Sequence, residues 1–149
     1  MHRVVWAALV FAVFGKADGF TFTIGSPVAA QEFQAKTAAF AFRTEGCAAP
    51  GRSQISATAE GIVGGARQSV VLRVAAMQRA GVYAVFQTWG REGRWVVVLK
   101  GVCEKETAGA IVPIGPKGFI REASKFFPRP AKAEEVEASL KSLAEGELK

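Results

Sequence analysis

Residues 81–103 read GVYAVFQTW, then GREG, then RWVVVLKGVC. Two runs rich in β-branched and aromatic residues flank a short charged segment bounded by Gly90 and Gly93, the pattern of two strands and a turn. Both runs are apolar on both alternations. Tyr83 and Val85 share one face, and Val82, Ala84 and Phe86 the other; Trp95, Val97 and Leu99 likewise oppose Val96 and Val98. A strand with one wet face alternates apolar with polar residues. These two are therefore expected to form a central hairpin whose outer face is covered, by a C-terminal helix or by a partner.

The same period of two extends outward from this stretch. Phe20–Ile24 (FTFTI) alternates and stops at Gly25-Ser26-Pro27, while TAAFAFRT over residues 37–44 puts Phe40 and Phe42 on one face. Residues 55–63 and 67–75 flank Gly64-Gly65, a pair that tolerates positive φ at both turn positions and predicts a tight hairpin. A short strand at Ala110–Ile114 closes the series before Gly115-Pro116. About seven short strands at this spacing predict a mainly β fold, an antiparallel immunoglobulin-like sandwich. Beyond it, residues 119–127 (FIREASKFF) predict a short helix ended by Pro128 and Pro130. Residues 133–144 predict a terminal helix, with Val136, Leu140 and Leu143 on one stripe and Glu134, Glu135 and Glu137 near its positive end.

The N-terminus has its own grammar. A basic start (Met1–Arg3), an apolar run over 4–14 (VVWAALVFAVF) and small residues at Gly15 and Ala17 form the layout of a secretory signal peptide cut after Ala17. The run is short of the roughly 20 apolar residues that span a bilayer, and an uncleaved anchor or a buried first element are the alternatives. The expected organisation is a signal peptide over 1–17, a β-sandwich over 18–115 and a helical extension over 116–149. In an exported chain Cys47 and Cys103, the two cysteines present, are expected to form a disulfide. A reactive thiol would need a neighbouring imidazole or a second cysteine two positions beyond its neighbour, and neither is present.

Gly81-Val82-Tyr83-Ala84-Val85 followed by Gly93-Arg94-Trp95-Val96-Val97-Val98 resembles the paired strands of bacterial extracytoplasmic immunoglobulin-like modules, including the YtkA-like accessory domains. The resemblance covers about twenty residues and implies a sandwich in which these strands form a hairpin. Relatives of that kind are associated with envelope and metal-handling proteins and often carry Met and His ligands. The chain departs from them there: past the leader it has Met77 and no histidine.

Composition excludes several chemistries. Among 149 residues there is no Asn, the only Asp is Asp18 and the only His is His2. A Ser-His-Asp triad, a Cys-His pair, a His-ligated metal and an Asp-rich calcium loop lose their raw materials, so neither cofactor nor metal is expected. The net charge of +6 includes Arg3 and Lys16 of the leader, and the other basic residues are scattered; no nucleic-acid partner is expected.

Three features could still carry a function. Trp89, Arg91, Arg94 and Trp95 set two indoles beside two guanidiniums, a combination able to stack on a sugar or grip an anion. The simpler reading of the same residues is a hairpin with Trp95 in the core and its charges in water. Arg121, Lys125 and Arg129, interleaved with Phe119, Phe126 and Phe127, could touch an anionic membrane surface, or could be the solvated face of a short helix. Glu104 and Glu106 could in principle form a hydrolytic carboxylate pair. The expected function is that of a non-catalytic, periplasmic or secreted binding or accessory module of the envelope, with a protein or glycan partner. The alternatives are a small secreted hydrolase using Glu and Arg, and a structural subunit pairing through apolar strands.

Overall fold

A computed structural model describes residues 19–27 and 33–146, so the expected leader at 1–17 lies outside the described residues. The described residues are mainly β, with two antiparallel sheets and one C-terminal helix. The first sheet is built from β1 (Thr21–Gly25), β2 (Phe40–Glu45), β5 (Val74–Ala76) and β6 (Val82–Val85), in the order β1-β2-β6-β5. The second contains β3 (Gln54–Val63), β4 (Ala66–Val71), β7 (Arg94–Cys103), β8 (Glu106–Gly115) and β10 (Lys125–Phe127), in the order β10-β8-β7-β3-β4. A two-residue β9 (Gly118–Phe119) shares with β10 the edge of β8 that β7 leaves open. Among the described residues ten strands thus replace the roughly seven expected, within the expected class.

The two sheets meet through unlike surfaces. The first presents Phe20, Phe22, Phe40, Phe42 and Tyr83; the second answers with four alanines, Ala57, Ala59, Ala108 and Ala110, set among Trp95, Val97, Leu99 and Val112. Large rings fill the space that small partners leave, which is how a core reaches native density without strain. The rings also order one another: Phe22 meets Phe42 edge-on at 5.4 Å, and Phe42 stacks on Tyr83 at 5.2 Å. Gly101 of β7 belongs to the same scheme, since a Cβ there would come within 3.0 Å of the Phe20 and Phe22 rings.

Cys47, just beyond β2, and Cys103, at the end of β7, form a disulfide with a Cα separation of 5.9 Å. It joins the two sheets covalently.

Two expected connections are different. Residues 67–75 do not form one strand: β4 stays in the second sheet while β5 belongs to the first. Leu72 N–H still bonds Ala57 O of β3, whereas Arg73 O already accepts from Phe86 N–H beside β6. The buried Leu72 marks the corner where the strand changes sheets, a common way to close a sandwich. The expected hairpin of residues 81–102 is also absent. β6 pairs with β2 and β5, β7 pairs with β3 and β8, and residues 86–93 cross from one sheet to the other. A strand that is apolar on both faces states that it is central but not which neighbours flank it, and pairing with distant strands won.

Each outer face is covered in part by the chain itself. Helix α1 (Ala133–Ala144) lays Val136, Leu140 and Leu143 over Val96, Val98 and Ile111. On the other sheet Ala84 lies under Ala35, Ala38 and Met77. The helix expected over 119–127 is replaced by β9, a single 3-10 turn at Arg121–Ala123, and β10. Phe126 and Phe127 favour the extended state, and β10 pairs with Gly109–Ile111 of β8. Gly109 allows residues 129–131 to cross directly above it, because a Cβ would collide with the backbone of Arg129, Pro130 and Ala131.

Candidate functional site

The 86–93 crossover forms one wall of a cleft of about 590 Å³ at one end of the sandwich. The opposite wall is the β8–β9 hairpin with Gly115, Pro116 and Gly118, and Leu143 in the last turn of α1 and Gly146 just beyond it complete the lining. All four residues singled out from the sequence, Trp89, Arg91, Arg94 and Trp95, line it. Their roles differ. Trp89 and Trp95 are only 6% and 3% exposed and belong to the core between the sheets. The Trp95 indole N–H donates to Glu92 O at 2.8 Å, and Gly61 lies under the ring. The indoles therefore make a rigid base and present no open face on which a sugar could stack.

Arg91 on the crossover and Arg94 at the start of β7 are exposed, and among the described residues no carboxylate lines the cleft, Glu92 between them lying outside that lining. Neither arginine forms an ion pair among the described residues, and their planar forks suit a carboxylate, sulfate or phosphate. The crossover is held in place rather than loose. Gly93 has φ +91° and packs against Ile62 O, so close that a Cβ there could not be accommodated. Gln87 Nε2 reaches Trp89 O at 3.4 Å. Glycine walls leave peptide groups open to a ligand, since no side chain stands in front of them. The Gly-Pro-Lys-Gly run at 115–118 reads in sequence only as the end of a strand, and its place opposite the arginines is a product of the fold.

The other candidates have settled elsewhere. Glu106 Oε2 accepts the Phe20 N–H at 3.1 Å, tying the start of β1 to β8, while Glu104 stands at the tip of the β7–β8 hairpin. Neither lines the cleft. Arg129 is held by Glu135 through two contacts of 2.6 and 3.1 Å and lies over the Phe127 ring. The Arg129 hydrogen bond, reinforced by the Lys132 backbone N–H, lowers the Glu135 carboxyl from 4.5 to about 2. Of the basic trio, Arg121 and Lys125 remain exposed, beside a Phe126 that is 43% exposed. Among the described residues no group of three or more His, Cys, Asp or Glu side chains is placed to hold a metal, and no helix is long and apolar enough to cross a membrane.

Comparison with protein-family models, with curated proteins and with solved structures gives no match for this chain.

Proposed function

We propose that the protein is an exported, non-catalytic binding or accessory module of the cell envelope, and that its cleft receives an anionic group of a glycan or protein partner. The observation that carries this reading is the pairing of Arg91 and Arg94 in a cleft whose lining, among the described residues, includes no carboxylate. Export, to the periplasm or beyond the cell, is supported by the leader-like layout of residues 1–17 and by the Cys47–Cys103 bond, which suits an oxidising compartment. Hydrolysis by two carboxylates draws no support from the cleft, where acid and base would have to face each other.

The test is a titration of the isotope-labelled protein, followed by amide NMR, with an oligogalacturonate and with a neutral oligosaccharide of equal length. Shifts confined to residues 87–95 and 114–118, seen with the acidic sugar and lost in an Arg91→Gln/Arg94→Gln variant, are the expected result. Equal response to both sugars, or none to either, overturns it. Mass spectrometry of the protein recovered from its host, without reductant, checks cleavage after Ala17 and the disulfide together.

A further inference from the structure

A second concavity, of about 520 Å³, lies on the outer face of the first sheet, away from the cleft. Its base is apolar, made by Ala75, Met77 and Phe86, and Phe33 stands at its margin 81% exposed. Two cations bracket it: Lys36 Nζ lies 4.9 Å from the centre of the Phe33 ring, and the Arg73 guanidinium 4.7 Å from that of Phe86. Among the described residues neither cation forms an ion pair, and no acidic residue lines the groove. Its volume falls in the ~300–1,000 Å³ range of small-molecule sites.

We propose that this groove binds a single-chain fatty carboxylate, its acyl chain on Met77, Ala75 and the two phenyl rings and its carboxylate between Lys36 and Arg73. The chemistry follows from the two halves of the site. A small inorganic anion held by the two cations, with Gln34 and Thr37 beside them, would leave the apolar base of Ala75, Met77 and Phe86 uncovered. A neutral hydrocarbon would leave two cations unanswered. An amphiphile with one negative end satisfies both, and the unbranched Met77 adapts to a flexible chain. Phe33 gains most, since an aromatic side chain held almost entirely in water is covered when the chain docks. The proposal is independent of the reading of the arginine cleft.

The probe is carboxyl-labelled dodecanoate, held below its micelle concentration and titrated into the full chain, with calorimetry and the ¹³C carboxyl signal as readouts. Saturable binding of one molecule per chain is expected. Lys36→Gln/Arg73→Gln should weaken it by on the order of tenfold or more, the loss of a charge-assisted contact, and Phe33→Ala should weaken it several-fold. Dodecyltrimethylammonium, with the same chain and the opposite charge, should not compete. Absence of saturable binding overturns the proposal, as does unchanged affinity in the double variant or equal competition by the cationic amphiphile. The substituted side chains are exposed, and unchanged thermal melts confirm that the variants fold. Arg91→Gln/Arg94→Gln leaves dodecanoate binding intact, so the two sites succeed or fail separately.

Discussion

Gly61 on β3 and Trp95 on β7 stand directly opposite each other, and the indole lies over the glycine so closely that a Cβ there would collide with Cε3, Cδ2 and Cζ3 of the ring. The pair couples the strand core to the base of the cleft, because Trp95 belongs to both. Gly61→Ala is therefore an overpacking substitution in a site with nowhere to relax. It should cost about 1–3 kcal/mol, measured as a lower urea midpoint, and should shift the tryptophan emission of the folded protein. An unchanged midpoint would show that the indole can slide aside.

The disulfide bridges residues 56 positions apart in the chain. On the chain-entropy account a loop of that size stabilises the native state by about 4 kcal/mol. Cys47→Ala/Cys103→Ala should lower the melting temperature by on the order of 15 °C. Retention of the wild-type melt would mean that the two sheets hold each other without the covalent link.

Glu135 supplies a pH dependence whose direction follows from its environment. Its carboxyl is lowered from 4.5 to about 2 in the folded protein, first by Arg129 and then by the Lys132 N–H. A depressed carboxylate stabilises the fold fully above its unfolded value, and that contribution disappears as the pH falls through about 2. Melting temperatures recorded across this acid window should fall less steeply for Glu135→Gln than for the parent chain. Salt should narrow the difference, because the ion pair is partly exposed. Parallel curves for the two proteins would remove Glu135 from the acid response.

Glu104 has φ +56°, the single non-glycine residue with positive φ among the described residues, in the two-residue turn between the paired Cys103 and Glu106. An L side chain is disfavoured there. Glu104→Gly should stabilise the protein by about 0.5–1 kcal/mol, the relief of strain exceeding the added freedom of the unfolded chain. Chemical denaturation gives the sign directly, and a destabilised variant would mean that the Glu104 side chain makes a compensating contribution.

The terminal helix was legible because Val136, Leu140 and Leu143 repeat at helical spacing, and the apolar outer face of β7 that it covers was legible in Val96 and Val98. Residues 119–127 misled because their aromatic and basic residues fit either state, and only pairing with β8 made β10 extended. Of the cleft, Trp89 and Arg91 of the crossover and Arg94 and Trp95 of β7 were visible as a cluster of indoles and guanidiniums. The opposite wall was not, since Gly115, Pro116 and Gly118 carry no side-chain chemistry to notice. The outer groove was invisible for a further reason: Phe33 and Lys36 come from one segment, Arg73 and Phe86 from two others.

Alternation of side chains along an extended backbone is a local property, so the amino-acid order alone determined that this chain is built of strands, which residues are apolar on both faces, and which catalytic groups it lacks. Pairing between strands is a contest among distant segments of similar pattern, settled by how bulky rings and small residues fit across the interface. Only the folded molecule could decide that β6 and β7 part into different sheets, that the expected Cys47–Cys103 bond ties one sheet to the other, and that Arg91 and Arg94 come to face a wall of glycines.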